Sequence, residues 1–423
     1  MLILSLYVAS FILLLVIYKM LIKRFTSANA QAKINTVTFG DESAVKANRT
    51  ASVLSILTLF FIWCAFTGSS LSPIHVPGPF TGDTTFTYTA KNTNKQTDTA
   101  QVYIRVNPVN KKITKSSPAN NNRNNFTKND SAEVTAYRSV LIRVKKNDTG
   151  GKEENYLVTK INGQAIKAKQ TIQVNNGQVI LTSKGSISFT PNKGWQMEPI
   201  WLPAPEAVFY RLIEIARDGY QNVSLFENIG WSLLRVIAGF LLGCFVGIPL
   251  GYAMGLSSWF RGWFDPIVEF MRPIPPLALI PLVIIWFGIW EAGKISLLFL
   301  AALWIMTIAA RAGVSGVNIS KIHAAYSLGA SKLQILIHVI IPNSLPEIFT
   351  GARVAMGVCW GTVVAAELVA AEKGAGKMII AASKFQQTDV VIMGIILIGV
   401  IGYGIDTLMR VAERKLVPWK GNS

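Results

Sequence analysis

Hydrophobic and polar positions divide the chain into three stretches of different character. Residues 2–18 are almost uninterruptedly apolar and are followed by Lys19, Lys23 and Arg24. A cleaved signal peptide carries its charge before the apolar run, so this pattern predicts a retained helix. Positive charge gathers on the cytoplasmic side, which puts the N-terminus outside and residues 19–48 inside. Residues 51–67 predict a second span running outward. From about Pro73 to Glu198 the chain turns polar and alternates with period two at Phe86–Tyr88, Val102–Val106, Val140–Val144, Ile172–Val174 and Ile187–Phe189, which predicts short strands. Asn176-Gly177 reads as a hairpin turn, and the Asn-rich stretch 117–130 as a mobile loop. Residues 201–225 predict an amphipathic helix with Pro203 and Pro205 at its start. Apolar runs then recur near 229–255, 264–289, 293–310, 346–371 and 388–409, each about long enough to cross a bilayer.

The loops between these runs alternate consistently. Arg261 falls inside, Glu291 and Lys294 outside, and segment 311–345 inside with Arg311, Lys321, His323 and Lys332. Glu372, Lys373 and Lys377 fall outside, and Arg410, Arg414, Lys415 and Lys420 inside. Pro273, Pro275 and Pro276 break the run 264–289 and free backbone carbonyls to line a cavity or kink the helix.

Composition sharpens the picture. Of 423 residues, 51% are hydrophobic and 15% charged, with mean hydropathy +0.38, which places the chain among multi-spanning membrane proteins. The apolar part lacks the alternating segments of a membrane barrel. The net charge of +18 is divided between loop lysines and the polar insert, whose length exempts it from the orientation rule. No basic, aromatic-studded face suggests nucleic-acid binding. Cys64, Cys244 and Cys359 all lie in apolar runs and read as packing residues. Asp83, Asp98 and Asp148 in the insert are possible calcium ligands, though they form no cluster in the sequence.

One loop segment carries a motif. His323-Ala324-Ala325 is followed after three residues by Gly329 and after nine more by Val339-Ile340-Ile341-Pro342. This predicts two short helices bent at a residue without Cβ, with Pro342 stopping the second helix. Their apolar face (Ala325, Leu328, Leu333, Leu336) suits a groove on a soluble partner, which would pass rigid-body motion to the spans. The alternative is an ordinary amphipathic connector.

This loop resembles the coupling loop of importer permeases, with His323 where the family carries Glu. From about Trp201 to the C-terminus the chain resembles the permeases of taurine, aliphatic sulfonate, nitrate and bicarbonate importers, above all those of taurine. The resemblance rests on Ser232-Leu-Leu-Arg235, Gly247-Ile-Pro-Leu-Gly251, Asp265-Pro-Ile-Val-Glu269, Arg272-Pro-Ile-Pro-Pro276, Ile285-Trp-Phe-Gly-Ile289, Val364-Ala-Ala-Glu367 and Pro418-Trp419. It implies an all-α polytopic membrane protein of the type I ABC importer fold, about seven helices counting residues 2–18, with an inserted extracytoplasmic β-sandwich-like domain. It also implies a homodimer in the bacterial inner membrane, partnered by ABC ATPase subunits and a periplasmic solute-binding protein, with no catalytic residues, metal or cofactor of its own. The expected division is 1–77, an insert 78–197 and a permease core 198–423. The insert resembles a bacterial cadherin-like or Ig-like repeat, through Gly78–Ala90, Asp98–Asn110 and Gly185–Asn192.

Translocation-path candidates are Arg235, Arg272, Pro275, Arg353 and Glu367. An intramembrane guanidinium either meets an oxyanion or pairs within the protein, and Glu367 either lines a path or pairs with an arginine. Gly374-Ala-Gly376-Lys377 faintly suggests a phosphate loop, but Ala371 and Met378 occupy positions that need Gly and Ser/Thr. Taurine or another sulfonate is the expected solute. A nitrate, bicarbonate or pyrimidine-precursor importer is the alternative within the class, and a membrane-anchored adhesive or sensory module the alternative outside it.

Overall fold

The computed structural model describes residues 49–109, 126–151, 153 and 155–419, together with Ser5, Ala9, Ile12, Leu13, Val16, Ile17 and Met20, which are helical. The rest of the first apolar run, the linker 21–48, most of the Asn-rich stretch and Lys420–Ser423 lie outside the described residues. Contacts divide the chain into two units, Met1–Glu206 and Ala207–Ser423.

In the first unit, α1 (Arg49–Thr67) is apolar on all faces. The chain then enters a β region with nine strands among the described residues: β1 Gly82–Lys91, β2 Thr97–Asn107, β3 Asp130–Thr135, β4 Val140–Ile142, β5 Leu157–Ile161, β6 Gln164–Ala165, β7 Thr171–Val174, β8 Gly177–Leu181 and β9 Ile187–Pro191. They form two sheets, ordered β3-β2-β1-β5-β6 and β4-β9-β8-β7. Period-two alternation sends Phe86, Tyr88, Ala90, Val102 and Ile104 from one sheet, and Val179, Ile187 and Phe189 from the other, into a single shared core. Phe86 stacks on Phe189 with centroids 6.2 Å apart.

The structure corrects several local expectations here. The β7–β8 pairing joins Val174 to Gly177, so the turn is Asn175-Asn176, with Asn176 at φ 62°. Gly177 instead opens β8, where a Cβ would meet the Phe189 ring at 2.6 Å. The run Val140–Val144 is strand only to Ile142 and then tightens into a 3₁₀ turn, Val144–Lys146. β3 pairs with β2 in parallel, an arrangement alternation cannot reveal.

The two ends of the β region are stitched together. Pro77 O accepts from Trp195 N at 2.7 Å, and Phe80 N donates to Asn192 O at 2.9 Å. A Cβ on Gly194 would meet Gly78 O at 2.3 Å, so only glycine permits this approach. Next to them Met197 N donates to Phe66 O at the end of α1.

Deep in the β region lies an acid cluster. Asp148, 7% exposed, accepts from Tyr88 Oη at 2.9 Å, from Tyr156 Oη and from Lys128 N at 2.7 Å. Burial raises the Asp148 carboxyl above its usual range. Asp130 keeps one carboxylate oxygen buried without a hydrogen-bond partner. Burial, and then the Asp148 charge beside it, push Asp130 up to about 7. Asp98 holds Thr127, and the exposed Asp83 pairs with Arg105 at 2.6 Å.

The second unit is helical: α2 Pro205–Asp218, α3 Leu225–Leu256, α4 Ser258–Met271, α5 Ile280–Phe287, α6 Glu291–Ser315, α7 Ile319–Ser327, α8 Lys332–Ile335, α9 Ile341–Ala370, α10 Ala375–Lys384 and α11 Thr388–Leu416. Helix α2 begins at Pro205, whose missing N–H costs nothing there. It stops at Gly219 (φ 78°), short of the expected residue 225. α3, α6 and α11 have the length and hydropathy to cross a membrane, as does the continuous Lys332–Val369. α3 and α6 form the central pair. Gly239, Gly243, Gly247 and Gly251 recur every fourth residue on α3, and Cβ atoms at Gly239 and Gly243 would meet Leu298 and Ala302 at 2.4 Å. The bare ridge lets the backbones approach closely, a common device between membrane helices. Cys359 and Trp360 of α9 pack into the same core.

Candidate functional site

The motif segment folds as two short helices, α7 and α8, meeting at Gly329. Gly329 has φ 80°, and nothing lies within 4 Å of where its Cβ would stand. Glycine is therefore required by backbone conformation alone. Asn318 caps α7, and Ser331 with Gln334 forms a reciprocal capping box on α8. The expected apolar face is split. Ala325 and Leu336 turn inward and pack with Val314, Ile335 and Ile340. Leu328 and Leu333 stand outward at 88% and 64% exposure, beside exposed Tyr326. His323 and Ala324 are also exposed, while Val339, Ile341 and Pro342 are half-buried.

Pro342 does not stop the helix. The chain passes through a π-turn over Leu336–Ile340, with Ile341 N donating to Leu336 O. Pro342 then falls in the first turn of α9, where a missing N–H does no harm. Trp419 Nε1 donates to Pro342 O at 3.2 Å, tying the chain's end to this junction.

At the opposite ends of α3, α6 and α9, two path candidates meet. Arg235 is 1% exposed and Glu367 fully buried. Arg235 Nη1 donates to Glu367 Oε1 at 2.7 Å and to Lys373 O at 2.8 Å. Its Nε and Nη2 form a fork on Glu291 at 2.6 and 2.8 Å. Glu367 also accepts from Ser232 Oγ at 2.8 Å and Gly376 N at 3.0 Å. Gly374 N donates to Asn228 Oδ1 and Ala375 N to Ser232 Oγ. The glycine-rich turn that resembles a phosphate loop thus directs its amides at the protein's own Glu367, Asn228 and Ser232. Asn228 escaped the reading of the sequence, and Ser232 and Glu291 were named there only as part of a family phrase and as an outer-loop residue, not as site residues. The spacing of Asn228, Ser232 and Arg235, one polar stripe on an apolar helix, was the available signal.

The remaining path candidates are dispersed. Arg353 faces α11, pairing with Asp406 at 3.3 Å and Glu413 at 3.6 Å. Arg272 and Pro275 lie at the proline break, where α4 and the stretch Pro276–Phe287 are bent by 91°. They line a cavity of about 340 Å³ against α6 and α9. α4 is fixed to α6 by Arg311, which pairs with Asp265 and with Glu269 at 3.0 Å.

Residues 225–418 match the family described as "Binding-protein-dependent transport system inner membrane component". The taurine transport system permease protein TauC of Escherichia coli (strain K12) is 45% identical over 226 residues, which are 53% of this chain and 82% of TauC. The putative aliphatic sulfonates transport permease protein SsuC of Bacillus subtilis (strain 168) is 35% identical over 221 residues, 52% of this chain and 79% of SsuC. Among solved structures, an inward-facing MetNI methionine ABC transporter aligns with TM-score 0.39 and 18% identity, covering 49% of this chain and 97% of that one.

Proposed function

The chain belongs to the inner-membrane component family of binding-protein-dependent transport systems, a non-catalytic permease of ABC importers, and from that premise we propose that it carries taurine or a related sulfonate inward. The relatives TauC and SsuC support the solute class. ATP hydrolysis belongs to a partner ATPase, and solute delivery to a separate binding protein. In this reading two copies of the permease form the pathway, Arg261 and the α7–α8 bend face the cytoplasm, and the β region 78–197 is an extracytoplasmic sandwich inserted between the first family helix, α1, and the core 198–423.

The observation that carries the coupling role is the outward crest of Leu328 and Leu333 on a bend fixed by Gly329 (φ 80°). Large apolar side chains held out on a capped, rigid loop suit a groove on a soluble partner. His323, Ala324 and Ala325 precede the bend, and Val339, Ile341 and Pro342 connect it to α9. Motion of the docked partner then reaches α9 without an intervening flexible joint. Reconstitution with its ATPase and binding protein tests this. Labelled taurine enters proteoliposomes, and Gly329→Asp abolishes transport-coupled ATP hydrolysis while the permease remains inserted. Normal stimulation in that variant sinks the coupling role. Uptake no better than that of empty vesicles sinks the solute.

A further inference from the structure

Two connectors, residues 68–81 and 192–204, lead into and out of the β region, and both are fastened to the last turn of α1. A helix ends with carbonyls that its own turns cannot satisfy. Here Ser69 N, Val76 N and Met197 N donate to Cys64 O, Ala65 O and Phe66 O, at 3.1, 3.2 and 2.8 Å. Trp63 Nε1 reaches across to Pro203 O at 3.0 Å. The connectors are therefore held at a fixed height on α1.

These segments carry most of the large apolar side chains that the β region leaves uncovered. Trp195 and Trp201 are each 72% exposed, and Leu71, Ile74 and Met197 are exposed on the same two segments. Each lies within two residues of a position bonded to α1. On the strands, only Leu141 and Leu157 among the described residues are exposed large apolar side chains. Single ones on a sheet are ordinary, whereas five gathered at one level make a surface that water does not suit.

What covers this surface follows from what it continues. Val53, Ile56 and Leu59 lie exposed along the apolar α1. Its 19 residues rise about 28 Å, close to the ~30 Å hydrocarbon core of a bilayer. A span of that length leaves the hydrocarbon at its last turn, which is where the connectors are fastened. Tryptophan suits that depth, with a ring for the acyl boundary and an N–H for the headgroups.

We infer that Leu71, Ile74, Trp195, Met197 and Trp201 form a collar that seats the base of the β region in the outward surface of the bilayer crossed by α1. This rests on the reading of α1 as a span with the β region outside. The partner is the boundary between headgroups and acyl chains, and the sheets are held at constant height above it.

The test places the full-length permease in vesicles of phosphatidylethanolamine and phosphatidylglycerol, with or without bromine on the acyl chains near the headgroup. Each tryptophan is read as the difference between wild type and Trp195→Phe or Trp201→Phe. Bromolipid quenches both, so the quenched share of the protein's emission falls in each variant. If one variant fails to insert, the other decides. Emission that bromolipid leaves untouched and aqueous acrylamide quenches overturns the collar. Emission untouched by bromolipid but shielded from acrylamide by added solute-binding protein also overturns it, and gives the face to that protein. Asn94→Cys, in the exposed β1–β2 turn, reports the side. An impermeant maleimide labels it in right-side-out membrane vesicles above the wild-type background. No labelling there overturns the outside placement and the collar with it, whereas labelling without bromolipid quenching overturns the collar alone.

Discussion

Carboxylates are buried in both units, and the two places neutralise them by different means. In the helical unit Glu367 faces a guanidinium at 2.7 Å, which in turn grips Glu291. In the β region Asp148 is met by two phenols and a backbone amide, while its neighbour Asp130 leaves one oxygen unanswered. A counter-ion answers charge with charge in place. Neutral donors spread charge without cancelling it, so the remaining adjustment falls to a proton. One cluster is therefore an ion-paired clasp across three helices, and the other a titratable core.

Removing the counter-ion has the largest effect. Arg235→Ala strands the fully buried Glu367 without its counter-ion and should cost about 3–5 kcal/mol, seen as a large drop in melting temperature in detergent. Combining it with Glu367→Leu recovers part of the loss. Equal melting of Arg235→Ala and wild type breaks the comparison on the helical side.

The acid cluster answers to pH. Asp130 in the folded state sits near 7, above the unfolded value of about 3.9, so the folded state holds its proton more tightly. The stabilisation is complete below about pH 4 and is lost as the pH rises through 7. Hydrogen exchange in β1 and β8 of the full-length protein should show the β region on the order of 2 kcal/mol more stable at pH 5 than at pH 8. Asp130→Asn flattens that slope, and an unchanged slope in the variant removes Asp130 from the account.

A smaller change tests the phenols. Tyr88→Phe withdraws one donor from Asp148 and should cost about 1.5 kcal/mol at pH 8, read from the same amides. Deleting the whole β region has the smallest expected effect on the helices. The hydrogen bonds that Trp195 N and Gln196 N donate to Pro77 O bring the cut ends together, so a short Gly/Ser linker from residue 77 to residue 198 spans the gap. Melting of the helical unit and binding of its ATPase should persist, with the pH slope gone. Loss of assembly would show that 78–197 is integral to the permease.

Four long spans were legible because a bilayer demands long apolar runs, whereas the run 264–289 folds as two helices bent by 91°; the bend at Gly329 was legible because its spacing is local. Strands β1, β2 and β9 announced themselves by alternation. What stayed hidden depends on distant partners. Nothing near Arg235 in sequence indicates Glu291 or Glu367, and nothing near Tyr88 indicates Asp148. The inward turn of Ala325 and Leu336 was hidden because an apolar residue on a short helix serves an intramolecular or an intermolecular contact equally well. Pro342 misled as a helix stop because its cost depends on whether the preceding turn is α or π.

That π-turn also sets an angular phase. A π-turn contains one residue more than the α-helical repeat it replaces, and one residue amounts to about 100° of rotation. The crest at Leu328 and Leu333 and the buried stripe of α9 (Ile348, Ala352, Ala355, Cys359) are therefore indexed to each other through Leu336–Ile340. Like a key cut between two gears on one shaft, the extra residue decides which way the crest points when the stripe is seated. Deleting a single residue there would leave every side chain of both surfaces in place and turn one against the other.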